Sequence, residues 1–118
     1  MSVKEIIEGY YRELMTTNDV EQYYHRNMLV DWHGSRGFLQ MNAEDLIMMI
    51  KQVDKYFISS RIEITHLIVS GNEASVRYNH YGVTKDSSFE EKLISTSIGI
   101  WQLKDNKLYR GYVMGHSD

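Results

Sequence analysis

Asp31 and His33 are the two side chains in this sequence best suited by type and spacing to move a proton. They lie two residues apart in residues 28–33, whose alternating side chains predict a β-strand, so both face the same side about 7 Å apart. This interpretation turns Leu29, Asp31 and His33 inward. A carboxylate in an apolar cavity has its pKa raised by desolvation, which suits proton abstraction near neutral pH, and His33 would return the proton or hold Asp31 in position. The alternative is that the two side chains pair or lie near the solvated end of the strand.

Other kinds of chemical site are disfavoured by what the sequence lacks. The 118 residues include no Cys, which excludes a disulfide scaffold, a thiolate nucleophile and a Cys-ligated metal. His66 and His80 are predicted to pair with Arg77 and Glu63 in a hairpin, so the two imidazoles face opposite sides and cannot share one ion. The sequence also has neither a phosphate-binding glycine loop nor a nucleophile elbow. We therefore expect neither a metal nor a cofactor.

Composition and charge describe a single folded domain over residues 1–118. The chain is 42% hydrophobic and 25% charged, which is typical of globular proteins. Its net charge of −3 gives no basic field to hold a phosphate backbone. It contains neither a signal-peptide pattern nor an apolar stretch of the roughly 20 residues that cross a bilayer. We expect a cytoplasmic protein without nucleic-acid or membrane partners.

Helical periodicity followed by strand alternation predicts an α+β domain. Apolar stripes predict one helix over residues 3–15 and another that begins at a cap on Asn42, with a short helix after Asn18 between them. Gly34 and Gly37 are expected to end the first strand. Four antiparallel strands follow, with the helices on one face of their sheet.

Two hairpins join the four later strands, with expected turns at Gly71-Asn72 and Asp105-Asn106. Counting back from these turns gives the expected cross-strand pairs, which include Val69 with Ala74, Leu67 with Val76, Trp101 with Arg110, and Gly99 with Tyr112. Three helices over a strongly curved sheet would leave a conical space. That space becomes a ligand pocket unless aromatic side chains fill it.

Three segments resemble SnoaL-like proteins of the nuclear transport factor 2-like superfamily. ITHLIVSGNEASVRYNHYGV resembles their strand, glycine turn and strand, LVDWHGS resembles the strand before their third helix, and WQLKDNKL resembles their last hairpin. The resemblance implies a cystatin-like α+β fold, in which three N-terminal helices pack on a strongly curved antiparallel sheet to form a cone with a pocket. It also implies frequent dimerisation through the outer sheet face. The superfamily contains isomerases, cyclases and members with no chemistry.

The ketosteroid isomerase pattern, transferred residue by residue, implies catalytic roles. Asp31 matches the general-base aspartate of the first strand, and Tyr11 matches the oxyanion-hole tyrosine of the first helix. His33 is added as a partner to the base from its spacing to Asp31 alone. The sequence departs from the family at two acids. Gly99 stands where the isomerases have a protonated aspartate, and His116 is near the place where the cyclases have an acid. The implied reaction is abstraction of a proton next to a carbonyl.

The implied ligand is a small apolar or aromatic carbonyl compound. Its expected binding residues are Trp32, Tyr24, Tyr78, Trp101 and Tyr112. Three functions stay open at this point: an isomerase or cyclase-type enzyme with Asp31 as base, a non-catalytic binding module, and a dimerisation domain whose own aromatic side chains fill the cavity. A homodimer is expected through the outer sheet face, with these candidate residues: Ile62, Ile64, His66, Ile68, Arg77 and Tyr81.

Overall fold

Two α-helices cover one face of a six-stranded β-sheet in the computed structural model, which describes residues 1–16, 19–86 and 89–117. The helices are α1 (Val3–Glu13) and α2 (Ala43–Asp54). The strands are β1 (Tyr24–Gly34), β2 (Gly37–Asn42), β3 (Phe57–Ser70), β4 (Glu73–Thr84), β5 (Lys92–Lys104) and β6 (Lys107–Ser117). They are ordered β2-β1-β6-β5-β4-β3, with β1 parallel to β6 and the other neighbours antiparallel. The expected α+β class is therefore confirmed.

The second of the three expected helices is wrong. The chain forms a 3-10 turn there, Glu21–Tyr23, because it is already extended at Tyr24, where β1 begins. Asn18, the expected cap, lies outside the described residues. The first strand ends at Gly34, as expected, and Gly34 and Gly37 also close a hairpin that adds β2 at the edge of the sheet. The strong curvature and the conical shape expected of the sheet are not confirmed.

Each α-helix begins at a reciprocal cap. Ser2 Oγ accepts a hydrogen bond from the Glu5 backbone N–H, and the Glu5 carboxylate accepts one from the Ser2 backbone N–H. Asn42 and Asp45 do the same for α2, which confirms the predicted cap at Asn42. The apolar stripes then face the sheet, where α1 packs on β3 and β4 and α2 packs on β1, β2 and β3. We call the covered side of the sheet the helical face and the other side the open face.

Asn42→Ala is expected to lower the free energy of unfolding by about 1 kcal/mol, because the Asp45 backbone N–H loses its acceptor. Urea denaturation of the wild type and the variant would measure the change. Asn42→Ser keeps a hydroxyl acceptor at the cap and is expected to retain most of the stability. Equal destabilisation by alanine and serine would contradict the capping role of this side chain.

Both long hairpins turn at the predicted residues. Gly71, Asp105 and Asn106 have φ values of +57°, +54° and +59°, which the tight turns between twisted strands favour. Next to the first turn, Val69 pairs with Ala74, as expected. Further from each turn, a β-bulge inserts one extra residue into a strand and shifts the register.

The bulge in the last hairpin falls at Tyr109 on β6 and makes two expected pairs wrong. Because the pairing moves by one residue, the observed partners of Trp101 and Gly99 are, respectively, Gly111 and Val113. Arg110 lies opposite Gln102, and its guanidinium stacks on the Tyr109 ring, 4.0 Å from the ring centroid. Trp101, opposite Gly111, packs its side chain into the core, where it is almost completely buried.

The bulge in the middle hairpin falls at Thr65 on β3. His80 therefore lies opposite Ile62, so the expected pairing of His80 with Glu63 is wrong. The extra residue also turns Ile62 and Ile64 toward the core beneath the helices. The expectation that these two isoleucines lie on the outer sheet face is wrong for the same reason.

No helix among the described residues is both long enough and apolar enough to cross a membrane.

Candidate functional site

A cavity of about 230 Å³ lies between the two helices and the helical face of the sheet. Side chains from α1, α2 and every strand except β2 contribute to its wall. Most of the wall is apolar and includes Leu14, Val30, Leu46, Ile50, Ile62 and Val113. The core aromatic residues therefore leave space unfilled beneath the helices.

The polar part of the wall contains a group of neutral side chains around Tyr11. The Trp101 indole Nε1–H donates a hydrogen bond to Tyr11 Oη over 2.9 Å. The Tyr11 and Tyr78 rings lie with centroids 4.5 Å apart. Ser97 lies opposite Tyr78 in the β4–β5 pairing and also lines the cavity. We call these four residues the polar cluster.

Burial keeps the two phenols of the polar cluster protonated. It raises the pKa of Tyr11 well above the ordinary value, and the neighbouring Tyr78 raises it further. Burial also raises the pKa of Tyr78, although hydrogen bonding to Ser97 and Tyr11 opposes that rise. At neutral pH both hydroxyls therefore carry a proton, and they are able to donate a hydrogen bond to a carbonyl oxygen or to an enolate.

Two glycines leave room for the indole of the polar cluster. A Cβ atom on Gly111 would lie 2.5 Å from the Trp101 ring, and one on Gly99 would lie 3.4 Å from Trp101 Nε1 and 3.5 Å from Tyr11 Oη. Gly99 is the position at which the isomerase pattern has an aspartate. Here the Trp101 N–H and the Tyr11 hydroxyl, which are hydrogen-bonded to each other, lie close to Gly99.

His80 also lines the cavity, a position that its predicted pairing with Glu63 did not indicate. Its imidazole is buried, with Nε2 hydrogen-bonded to Ser60 Oγ at 3.2 Å and its ring against the Phe57 ring. Burial lowers the pKa of His80, and the nearby Asp54 carboxylate opposes that shift. The imidazole is therefore neutral at pH 7 and able to accept a proton.

His80 is expected to make the protein less stable as the pH falls below 6.5, the ordinary pKa of histidine. Below pH 6.5 the unfolded chain binds a proton at His80, whereas the folded chain binds it only at a lower pH. Between the two pKa values the free energy of unfolding therefore falls as the pH falls. Above pH 6.5 neither state binds the proton, so this contribution is constant. His80→Gln is expected to reduce the slope of the unfolding free energy against pH between about 6.5 and 5. Urea denaturation at several pH values would measure the slope. Exposed His66 supplies the control, His66→Gln, and identical slopes in wild type and His80→Gln would contradict the prediction.

Four of the predicted site residues line the cavity: Tyr11, Trp32, Tyr78 and Trp101. Tyr24 is buried but outside the lining. Its hydroxyl shares a 2.9 Å hydrogen bond with that of Tyr10, whose ring does line the cavity. Tyr24 therefore supports the wall from behind, and its expected place in direct contact with a ligand is wrong.

The expected inward orientation of Asp31 and His33 is wrong, because β1 directs its alternate residues Val30 and Trp32 into the cavity. The Asp31 carboxylate accepts a hydrogen bond from Gln40 Nε2 over 2.9 Å on the open face, and His33 is exposed with its ring against Phe38. Neither side chain lines the cavity, so neither is positioned to take a proton from a molecule inside it.

Tyr112 is also on the open face, where it belongs to an exposed apolar group. Ile98 pairs with Met114 and Ile100 pairs with Tyr112 across β5 and β6. These four side chains are between 43% and 64% exposed, which is high for large apolar residues in the central strands of a sheet. We call them the open-face patch. Tyr112 does not line the cavity beneath the helices, because the bulge at Tyr109 sets the register of β6 and turns its side chain to the open face.

Within residues 1–16, 19–86 and 89–117, no three His, Asp or Glu side chains come together as a set of metal ligands.

The fold is similar to that of several solved structures. IdmH from Streptomyces antibioticus, a proposed polyketide cyclase, superposes with a TM-score of 0.83 at 12% identity, over 98% of this chain and 92% of that one. A proposed SnoaL-like polyketide cyclase from Jannaschia has a TM-score of 0.74 at 13% identity, over 96% and 84% of the two chains. A Catenulispora acidiphila protein with a ketosteroid isomerase-like fold has a TM-score of 0.76 at 12% identity, over 95% and 85%.

This chain therefore has the fold of SnoaL-like polyketide cyclases and ketosteroid isomerase-like proteins, which confirms the resemblance at the level of fold. No protein-family model matches the chain, and neither does the sequence of any curated protein.

Proposed function

We propose that this protein binds a small, uncharged carbonyl compound, apolar or aromatic in its body, inside the cavity. The observation that carries the proposal is the distribution of polarity: apolar side chains form most of the wall, and the neutral donors of the polar cluster supply a hydrogen-bonding region. Small-molecule pockets are commonly built this way, with a few placed polar groups that orient an apolar ligand.

Both the size and the charge of the cavity restrict the ligand. A volume of about 230 Å³ is below the range of most ligand pockets, roughly 300 to 1,000 Å³, so one or two fused rings would fill it. Among the described residues, no Lys, Arg, Asp or Glu side chain lines it. Because an unpaired buried charge is costly, an anionic ligand would be rejected.

The reaction that fits this site is proton abstraction next to the carbonyl, as in an isomerase or cyclase-type enzyme. The enolate oxygen would accept hydrogen bonds from the phenols of the polar cluster, which burial keeps protonated. The names of the structural neighbours agree with this class of chemistry. Since Asp31 is turned to the open face, we do not assign it as the base.

Calorimetric titration with three bicyclic ligands of similar shape would test the binding proposal. We expect β-tetralone, an uncharged ketone, to bind at one site per chain, and tetralin, which lacks the oxygen, to bind several-fold more weakly. β-Naphthoate, which carries a charge, is expected to bind at least about tenfold more weakly than the ketone. Preference for the carboxylate, or no binding of any of the three, would contradict the proposal.

Tyr78→Phe gives a matched variant for the same titration, because it removes the hydroxyl and keeps the ring. It is expected to bring the affinity for β-tetralone close to that for tetralin. A variant that keeps the full preference for the ketone would show that the polar cluster does not hold the carbonyl.

A second function, homodimerisation, is favoured by the open-face patch. We propose that two copies pack these patches together. Asp31 lies beside Tyr112 on one flank of the patch, and Arg77 lies beside Ile98 on the other. A two-fold axis along the strands would bring Asp31 of each copy towards Arg77 of the other, which adds charge complementarity to apolar burial.

Sedimentation of the wild type and of Met114→Glu would test the dimer. The wild type is expected to be a dimer at micromolar concentration, and the variant a monomer, because the new carboxylate would be buried in the interface. Met48→Glu on the exposed side of α2 is the control and should remain a dimer. A monomeric wild type would contradict the dimer proposal and leave the proposed function of the cavity unaffected.

A further inference from the structure

We propose that His80 is the group that accepts the proton from a ligand in this cavity, an inference that rests on the carbonyl-binding function proposed above. Among the described residues, His80 and three tyrosines are the titratable side chains that line the cavity. The tyrosines are poor bases because they are protonated at neutral pH. The imidazole is the one lining group that combines a lone pair with a useful basicity near pH 7.

The position of His80 relative to the polar cluster suits this role. Tyr78 and His80 are two residues apart on β4, so both face the cavity, with Cα atoms about 7 Å apart. Across β5 their partners are Ser97 and Ser95, which also line the cavity. If the oxygen of a bound ketone accepts a hydrogen bond from the Tyr78 or Ser97 hydroxyl, the carbon next to the carbonyl can lie further along the strand, towards His80.

The surroundings of the imidazole fix its orientation and supply a counter-charge. From β3, Ser60 Oγ is hydrogen-bonded to Nε2 and the Phe57 ring packs edge-to-face against the imidazole. From α2, the Asp54 carboxylate acts electrostatically in favour of the protonated form. Burial is the larger effect and keeps the imidazole neutral at rest, while Asp54 offsets part of the cost of the imidazolium form after proton transfer.

The proposed step is balanced without any co-reactant. The carbon–hydrogen bond next to the carbonyl breaks, its proton goes to His80 Nδ1, and the electron pair moves to the carbonyl oxygen as an enolate held by the polar cluster. Nε2 is hydrogen-bonded to Ser60 Oγ, and the proposed step uses the tautomer in which Nε2–H donates to that oxygen and Nδ1 carries the lone pair. Return of the proton to the same carbon exchanges it with solvent, and return to another carbon isomerises the compound.

Hydrogen–deuterium exchange of β-tetralone in D2O, followed by NMR, would test this step without knowledge of the natural substrate. The wild type is expected to accelerate exchange at the benzylic carbon next to the carbonyl. His80→Gln, which keeps an amide able to bond Ser60, is expected to lose about a hundredfold or more of the acceleration while still binding the ketone. His66→Gln on the open face is the matched control and should exchange like the wild type.

The outcomes separate the inference from the function on which it rests. Failure of the wild type to bind β-tetralone would contradict both. Binding without accelerated exchange, or full exchange in His80→Gln, would overturn the role of His80 and leave the binding function intact. Loss of exchange in Asp31→Asn, with exchange retained in His80→Gln, would show that Asp31 on the open face is the base.

A second measurement keeps the inference testable if His80→Gln does not fold. The imidazole nitrogens of His80 in the wild type can be followed by NMR across a pH titration, with and without β-tetralone. Exchange rates that fall as His80 becomes protonated are expected for a base. Rates that do not change across that titration would contradict the inference.

Discussion

Replacement of Trp101 by alanine is expected to lower the free energy of unfolding by about 3–5 kcal/mol, the largest effect anticipated for a single residue here. The indole is almost fully buried and packs directly over Gly111, where a glycine leaves room for it. Its loss would open a large cavity and leave Tyr11 Oη without the donor that now lies 2.9 Å away. The new cavity and the lost hydrogen bond both lower the free energy of unfolding.

Chemical denaturation of Trp101→Ala beside Trp32→Ala would measure this effect. Trp32 also lines the cavity but is only half-buried, so its replacement is expected to cost less. A loss for Trp101→Ala within about 0.5 kcal/mol of zero, as for surface substitutions, would contradict the central packing role of this ring.

Val53→Phe is expected to abolish ketone binding while leaving the fold as stable as before. Val53 lies on α2 in the cavity wall, so a phenyl group there would extend into the empty volume. We expect the affinity for β-tetralone to fall by more than about tenfold. The free energy of unfolding should stay unchanged or rise, because sites kept open for ligands commonly sacrifice stability.

Met48→Phe is the matched control for that variant. Met48 is on the same helix but 61% exposed, so a ring at this position lies at the protein surface and does not fill the cavity. It should bind the ketone like the wild type. Equal binding by Val53→Phe and Met48→Phe would show that the ligand lies elsewhere on the protein.

The elements of the fold could be predicted where a local pattern determines them. The cap at Asn42 and the turns at Gly71 and at Asp105-Asn106 depend on residue type over a few positions, and the structure has each of them. The pairings further along the hairpins depend on the bulges at Thr65 and Tyr109, and neither residue type signals a bulge. Each bulge shifted every pair beyond it by one residue.

The candidate site was harder to predict, because alternation gives two faces of a strand but does not say which one is inside. In β1 the choice was between a face with Asp31 and His33 and a face with Val30 and Trp32, and the structure buries the more apolar one. The rule that the apolar face of a strand turns to the core would have given the right orientation. Transfer of a family role onto Asp31 gave the wrong one.

The position of His80 in the cavity wall was missed, although the sequence contains a signal for it. Alternation in β4 places Val76, Tyr78 and His80 on one face, and the first two are typical core residues. A histidine that continues such a face is expected to lie beside the same space as Tyr78. The sequence analysis predicted a space beneath the helices, but its size and its lining could not be predicted, since they depend on how α1 and α2 sit above the sheet.

A crystal structure of the protein with β-tetralone bound would test the central claim most directly. The account predicts one ketone in the cavity beneath the helices, with its oxygen within hydrogen-bond distance of the Tyr78 or Ser97 hydroxyl and the adjacent carbon facing His80. A ketone seated on the open face, or one in the cavity with its oxygen turned to the apolar wall, would contradict it.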